Sequence, residues 1–181
     1  MAVTVEQALG DHAEDIVQLL WDAEDWLRAH GFETPLDETS LADVREQTEA
    51  GEWYVAQLAG ITVGAFRLQW SDSSRWLADA AEGAVVPTIA VDRTQVARGV
   101  GAELLGWAEA QAAARGVTAL RVECPLSNSA LRAYYERLGF AVVAEQRFEG
   151  WTDGDEPIGT VLMLLERPVE QAAHASSAPR R

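Results

Sequence analysis

The sequence predicts a single α/β domain: one mixed, mostly antiparallel sheet with a central parallel strand pair and flanking helices. Three observations carry this. Two strand-like runs, Trp53–Leu58 and residues 61–70, are separated only by Ala59 and Gly60, which reads as a β-hairpin. Strands at 85–91 and 118–124 bracket a helical pattern, a spacing that fits a right-handed β-α-β unit and hence local parallel pairing. Strands at 140–148 and 159–165 then complete the order β-α-α-β-β-β-α-β-α-β-β.

The elements follow from local pattern. Ile16, Leu19, Leu20, Ala23 and Leu27 recur at helical spacing, giving a helix over about 12–30 that Gly31 ends. A short helix follows, with Ser40 as its N-cap, Leu41 and Val44 facing inward, and Gly51 closing it. In the hairpin's second strand, Ile61, Val63 and Ala65 alternate on odd positions, whereas Phe66, Leu68 and Trp70 continue on even ones. That change of parity predicts an inserted residue near Gly64–Phe66. Val100, Leu104, Trp107 and Ala108 mark one face of a helix stopped by Gly116, and a last helix runs over 128–138 to Gly139. From Pro168 periodicity is lost, so residues 1–167 are expected to form the domain and 168–181 a frayed tail.

Composition excludes several classes. The formal charge of −15 disfavours phosphate backbones and anionic lipid, so neither a nucleic acid nor a membrane is an expected partner. All 14 basic residues are arginine, which removes Walker-type, Schiff-base and kinase-type lysine chemistry. Cys124 is the single cysteine; it argues against a disulfide or a thiolate-rich metal site and suits a reducing cytoplasm. His12, His30 and His174 lie outside every motif and are expected to be solvated or capping residues, and no metal is expected. Residues 1–15 carry acidic groups and no apolar run, so no signal peptide is expected.

Two segments carry chemistry. The first, Ala97-Arg98-Gly99-Val100-Gly101-Ala102, follows a strand and opens a helix. Glycines there let backbone approach a ligand, and the helix's first turn offers N–H donors at its positive end, a pyrophosphate-binding combination. A tight turn without a ligand gives the same pattern. The dinucleotide fingerprint does not fit, because its third glycine falls on Leu104. The second segment, Asn128 to Phe140 with Leu131, Tyr134, Tyr135 and Gly139, follows the fourth strand directly.

In this order and spacing the two segments resemble the GNAT superfamily of acyl-CoA N-acyltransferases, over about residues 86–148. The resemblance implies that Ile89, Ala90 and Val91 pair with the pantetheine arm of acetyl-CoA, or of another acyl-CoA, with the Val91 N–H polarising the thioester carbonyl. It implies that Val96, Ala97, Arg98, Gly99, Val100, Gly101 and Ala102 wrap the pyrophosphate. Asn128 and Leu131 match cofactor-contacting positions, and Tyr135 matches a cofactor-contacting tyrosine that protonates the departing thiolate. Two residues depart from the family pattern. Val96 stands where Gln or Arg is favoured, flanked by Gln95 and Arg98. Pro87 interrupts a central strand and cannot donate a ladder bond, which a bulge or splayed region tolerates.

A phenol of pKa about 10 is a reasonable proton donor to a thiolate of pKa about 8.5. Tyr134, turned about 100° away on the helix, is the expected packing residue. An ammonium substrate must first lose a proton, and Glu123, at the C-terminal end of its strand, is the first candidate base. It reads equally as the partner of a nearby arginine. Glu82 and Asp79 are weaker candidates, and Cys124, with no histidine to activate it, reads as a packed strand residue. Trp21, Asp25, Trp26 and Trp70, with Trp76, offer an aromatic and acidic lining suited to an organic cation, or else pack on the sheet.

The expected activity is acetyl transfer from acetyl-CoA to a primary amine of a small metabolite or amine antibiotic, by direct attack in a ternary complex of a monomer or homodimer. A protein or peptide acceptor is the alternative within the enzyme class. An acyl-CoA-binding protein with no acetyl transfer, or with different chemistry, is the alternative outside it.

Overall fold

The computed structural model describes residues 3–32, 39–70, 83–95, 98–153 and 156–171. The opening strand, to which the sequence pattern assigns no residues, is β1 (Thr4–Gln7). Helix α1 (Ala13–Ala29) buries Ile16, Val17, Leu19 and Leu20. Two histidines serve its ends. His12 Nδ1 accepts the Leu9 N–H at 3.0 Å, and His30 is the C-cap. Helix α2 (Leu41–Glu49) begins at Ser40, whose Oγ accepts the Asp43 N–H at 3.2 Å while Asp43 accepts the Ser40 N–H at 3.0 Å. Such a reciprocal box satisfies two donors the helix itself cannot.

Strands β2 (Trp53–Leu58) and β3 (Ile61–Gln69) form the hairpin. Its turn residues Ala59 and Gly60 have φ of 55° and 78°. Two successive positive φ values are the primed geometry whose twist matches a two-residue hairpin. An extra residue is present in β3, but it is Val63: Ala56 pairs with Gly64 and Gln57 with Thr62. From Ala65 to Arg67 the ladder with β2 is unbroken, so the bulge lies just upstream of the expected Gly64–Phe66. Gly64 allows α3 to pack closely there, since a Cβ on it would lie 3.1 Å from Leu104 Cδ1.

The remaining elements are β4 (Ala84–Val91), α3 (Val100–Ala114), β5 (Ala119–Pro125), α4 (Ser129–Arg137), β6 (Ala141–Asp153) and β7 (Glu156–Pro168). The seven strands run β1-β2-β3-β4-β5-β7-β6, and β4–β5 is the parallel pair. One face packs on α3 and α4 through Phe66, Leu68, Val86, Leu104, Leu120, Val122, Cys124, Tyr135 and Met163. The other packs α1 and α2 on Trp53, Val55, Ala65 and Ala90, with Val85, Leu164 and Ala144 as a smaller cluster beyond them. The domain does not stop at residue 167. Pro168 ends β7, and Val169 is buried, its N–H donating to Thr118 O at 2.9 Å. Of the expected tail, residues 172–181 lie outside the described residues.

Candidate active site

Parallel pairing between β4 and β5 consists of Ala84↔Leu120, Val85↔Arg121 and Val86↔Val122. The next residue of β4 is Pro87, which has no N–H to continue a ladder. Beyond it the strands follow different partners. Thr88 to Val91 pair with β3, and Glu123 to Pro125 pair with β7. The β3 side shifts register here too, because Arg67 pairs with Thr88 but Gln69 with Val85. Pro87 therefore marks both a bulge and the apex of a wedge that opens toward the C-terminal ends of β4 and β5. Ile89 and Val91 face the α3 side of this wedge, and Ala90 faces α1.

The turn into α3 closes the wide end. Gly99 is the N-cap, with φ of 81°, a left-handed conformation that glycine adopts without a Cβ clash. The free amides at this turn are fewer than the motif implies. The Arg98 N–H already donates to Gln95 O at 2.9 Å, and the Ala102 N–H to Gly99 O at 2.9 Å. That leaves Gly99, Val100 and Gly101 as the amides of the first turn that helix geometry directs outward. Val96 and Ala97 lie outside the described residues. Upstream, the Asp92 N–H donates to Val63 O at 2.9 Å, and Asp92 Oδ1 accepts the Thr94 N–H at 2.8 Å, so the β3 bulge anchors the approach to this turn.

Helix α4 starts at the mouth of the wedge. Asn128 is buried, and its Oδ1 caps the helix by accepting the Leu131 N–H at 3.0 Å. Leu131 packs at the edge of the α3–α4 core. The tyrosine pair divides differently from expectation. Tyr135 is the more deeply packed, 2% exposed and beside Phe140. Tyr134 is half-buried, and its hydroxyl reaches α3: a Cβ on Gly101 would lie 2.7 Å from it. Burial raises the Tyr135 phenol well above its ordinary value, and Cys124, Tyr134 and Glu123 push the same way. It is thus a proton-holding hydroxyl throughout the neutral range. Burial also pushes the Cys124 thiol up to about 12, which removes it as a nucleophile at neutral pH.

Glu123 belongs to the opposite face. Its neighbours Val122 and Cys124 both enter the α3–α4 core, and period-2 alternation turns Glu123 away from them. Arg121, two residues before it and also turned away, is 3% exposed and donates from Nε to Glu166 at 2.9 Å. A sequence model described as the acetyltransferase (GNAT) family matches residues 14–140.

The chain belongs to the GNAT acetyltransferase family.

The uncharacterized N-acetyltransferase YesJ of Bacillus subtilis is 28% identical over 141 residues, which cover 74% of this chain and 78% of that protein. Among solved structures, a GNAT-family acetyltransferase from Listeria monocytogenes superposes with a TM-score of 0.71 at 20% identity, covering 92% of this chain and 94% of its own. The PaiA N-acetyltransferase of Thermoplasma acidophilum, solved with coenzyme A, gives 0.68 at 16% identity, covering 93% and 99%. These two likenesses establish the fold. Acetyl-CoA is the acyl donor typical of GNAT enzymes, and among the described residues no helix is long and apolar enough to cross a membrane.

The residues expected to line a GNAT acceptor site are only partly brought together. Trp26, on α1, stacks on His30 at 4.0 Å and lies under the Arg93 guanidinium at 3.8 Å, next to the exit of β4. Trp21 is 51% exposed, and Asp25 is an exposed neighbour of Arg28. Trp70 is at the wrong end. It lies under Arg115, the C-cap of α3, beside a cavity of about 460 Å³ lined also by Gln7, Glu52 and Tyr54. A 15-residue helix separates that end from Gly99, about 22 Å at 1.5 Å per residue. Asp79, Glu82 and Trp76 lie outside the described residues. Two residues near the wedge escaped the sequence reading. Arg93 carries no motif signal. Gln146 carries only a faint one: it follows Ala144 at strand spacing, but a bulge between Val142 and Ala144 puts Val142 on the other face and breaks the series.

Proposed function

We propose that this protein is an acetyl-CoA-dependent N-acetyltransferase of a primary amine, acting by direct attack within a ternary complex. The observation that carries the reading is the wedge at Pro87, with Tyr135 on the core side of β5 and Glu123 on the other side.

The residues present fit the acyl donor. The wedge leaves the Thr88–Val91 edge of β4 available to an extended arm, and Gly99 and Gly101 keep side chains off the turn. The amides of Gly99, Val100 and Gly101 hold the pyrophosphate, with Arg98 beside them. Ile89, Ala90 and Val91 orient the arm, with the Val91 N–H as carbonyl donor. The Asn128 Oδ1 is committed to its cap, so its Nδ2 is the group that binds the cofactor, and Leu131 supplies apolar contact. Bound acetyl-CoA supplies an acyl group activated as a thioester.

The chain's own groups then move two protons. An alkylammonium of pKa about 10.4 costs about 4 to 5 kcal/mol to deprotonate at neutral pH, and Glu123 takes this proton, directly or through water. Tyr135 Oη gives the leaving sulfur its proton, and the second proton that the nitrogen loses as the amide forms restores the phenol, directly or through water. Acid and base sit on opposite faces of one strand, so neither need cross the other's path. The raised Cys124 thiol supports direct attack over a covalent acyl-enzyme.

Release of CoA in the presence of a panel of amines tests the reading. Intersecting initial-velocity patterns are expected. Parallel patterns would show a covalent intermediate, and no CoA release with any amine or peptide would leave a binding protein.

A further inference from the structure

One buried group on the Glu123 face has no partner. Gln146 Oε1 is shielded from solvent, yet no hydrogen bond reaches it. Its place follows from register: Gln146 pairs with Leu162, which pairs with Pro125, while Ala144 pairs with Leu164, which pairs with Glu123. Cross-strand partners share a face, and Ala144 and Leu164 cluster with Val85 on the face away from α3 and α4. Glu145 points the other way, since its charge acts on Arg132 of α4. Gln146 therefore shares a face with Glu123, two strands across and two residues along, about 12 Å between Cα atoms by strand geometry. Two long side chains with one amino group between them span that distance.

The surroundings are apolar. Leu162 is 4% exposed and Leu164 and Val85 are fully buried, so among the described residues the amide carbonyl stands against a hydrophobic floor and meets no donor. Native proteins rarely leave such a group unpaired unless it has a use. Resting on the N-acetyltransferase reading above, we propose that Gln146 is a specificity-determining residue of the acceptor site. Its side-chain carbonyl accepts one N–H of the incoming amine while Glu123 takes another. The same floor selects the body of the acceptor: a primary amine on an apolar or aromatic frame, not a polycation whose further charges would be buried against Leu162 and Leu164.

Gln146→Met, which keeps length and removes polarity, and Gln146→Glu, which keeps an acceptor oxygen, test this with phenethylamine and spermidine as probes. Wild type is expected to prefer phenethylamine. Gln146→Met should raise the phenethylamine KM about tenfold or more, with kcat and the acetyl-CoA KM little changed, because the site loses one hydrogen bond to substrate. Gln146→Glu should recover most of that loss. A merely structural glutamine would not give a second result: Gln146→Met should also raise Tm, since it replaces an unpaired buried carbonyl with an apolar group. A lowered Tm with an unchanged amine KM would overturn the inference, as would a preference for spermidine. If no amine is acetylated, the enzymatic reading fails separately. The inference is then judged by Tm in the presence of CoA: phenethylamine should raise it in wild type and not in Gln146→Met, and equal shifts in both, or none in either, would overturn it.

Discussion

The hydroxyl of Tyr134 lies over Gly101, so close that a side-chain carbon on the glycine would come within 2.7 Å of it and 3.7 Å of the ring carbon behind it. Glycine at 101 thus seats α4 against the first turn of α3. Gly101→Ala should destabilise the fold by about 1 to 3 kcal/mol through overpacking. In a Tyr134→Phe background the clash loses its closest atom, and most of that cost should vanish. Denaturant unfolding of the two single variants and the double variant measures the coupling; additive losses would disprove the contact.

Tyr135→Phe keeps the packed ring and removes the acid. If Tyr135 supplies the leaving-group proton, kcat should fall about 10²- to 10⁴-fold with little change in cofactor affinity. Tyr134→Phe should stay within a few-fold of wild type. Equal, modest losses in both would mean that neither is the acid. Saturating acceptor is required, so that slow product release does not mask the chemical step.

Cys124 should resist alkylation. With its thiol held at about 12, the folded protein at pH 8 carries almost no thiolate, whereas the unfolded chain, near 8.5, carries much. The sign for stability follows. A group whose folded value is raised stabilises fully below the unfolded value, and that stability is lost as pH rises toward the folded one. Between about pH 9 and 10 the unfolding constant should rise up to about tenfold per pH unit, and Cys124→Ala should flatten this slope. Iodoacetamide labelling with and without urea, followed by mass, checks the first part.

Asn128 caps α4 with its oxygen, and the proposed function gives its amide nitrogen to the cofactor. Asn128→Ala removes the α4 cap and should cost about 1 kcal/mol of stability. Asn128→Asp keeps an oxygen for the Leu131 N–H but replaces the amide donor with negative charge. It should retain wild-type Tm near neutral pH and bind acetyl-CoA more weakly, by calorimetry. Unchanged affinity would confine Asn128 to its cap.

Local rules made most of the framework legible. Ser40, Gly31, Gly51 and Gly116 delimit helices as their conformations require. Pro87 marks the break in the central strand, because a missing N–H acts whatever the tertiary context. The β3 bulge shows where such reading blurs. Ile61 looks like a core residue but is 66% exposed, and Gly64, which faces α3, has no side chain to register in the alternation. The alternation therefore points slightly too far along the strand for the inserted residue, which is Val63. Trp70 fails for another reason. Its aromatic character is plain, but which end of the sheet it occupies depends on the antiparallel course of β3 and β4 past α3. The tyrosine pair needs the most context, since adjacent helix positions differ only in which neighbours they meet.

If the wedge takes the acyl donor as proposed, Pro87 also bears on how quickly that ligand can enter. A cleft between two strands ordinarily risks zipping shut, since unpaired edges seek partners, and a ligand would then wait for the strands to part. A residue with no amide hydrogen at the apex makes closure unrewarding from the first step. The two strands stay apart in the resting protein, held by β3 on one side and β7 on the other. Entry then requires no melting of a ladder, so association can run at the pace of encounter, and the work of holding the gap open is done once, when the chain folds.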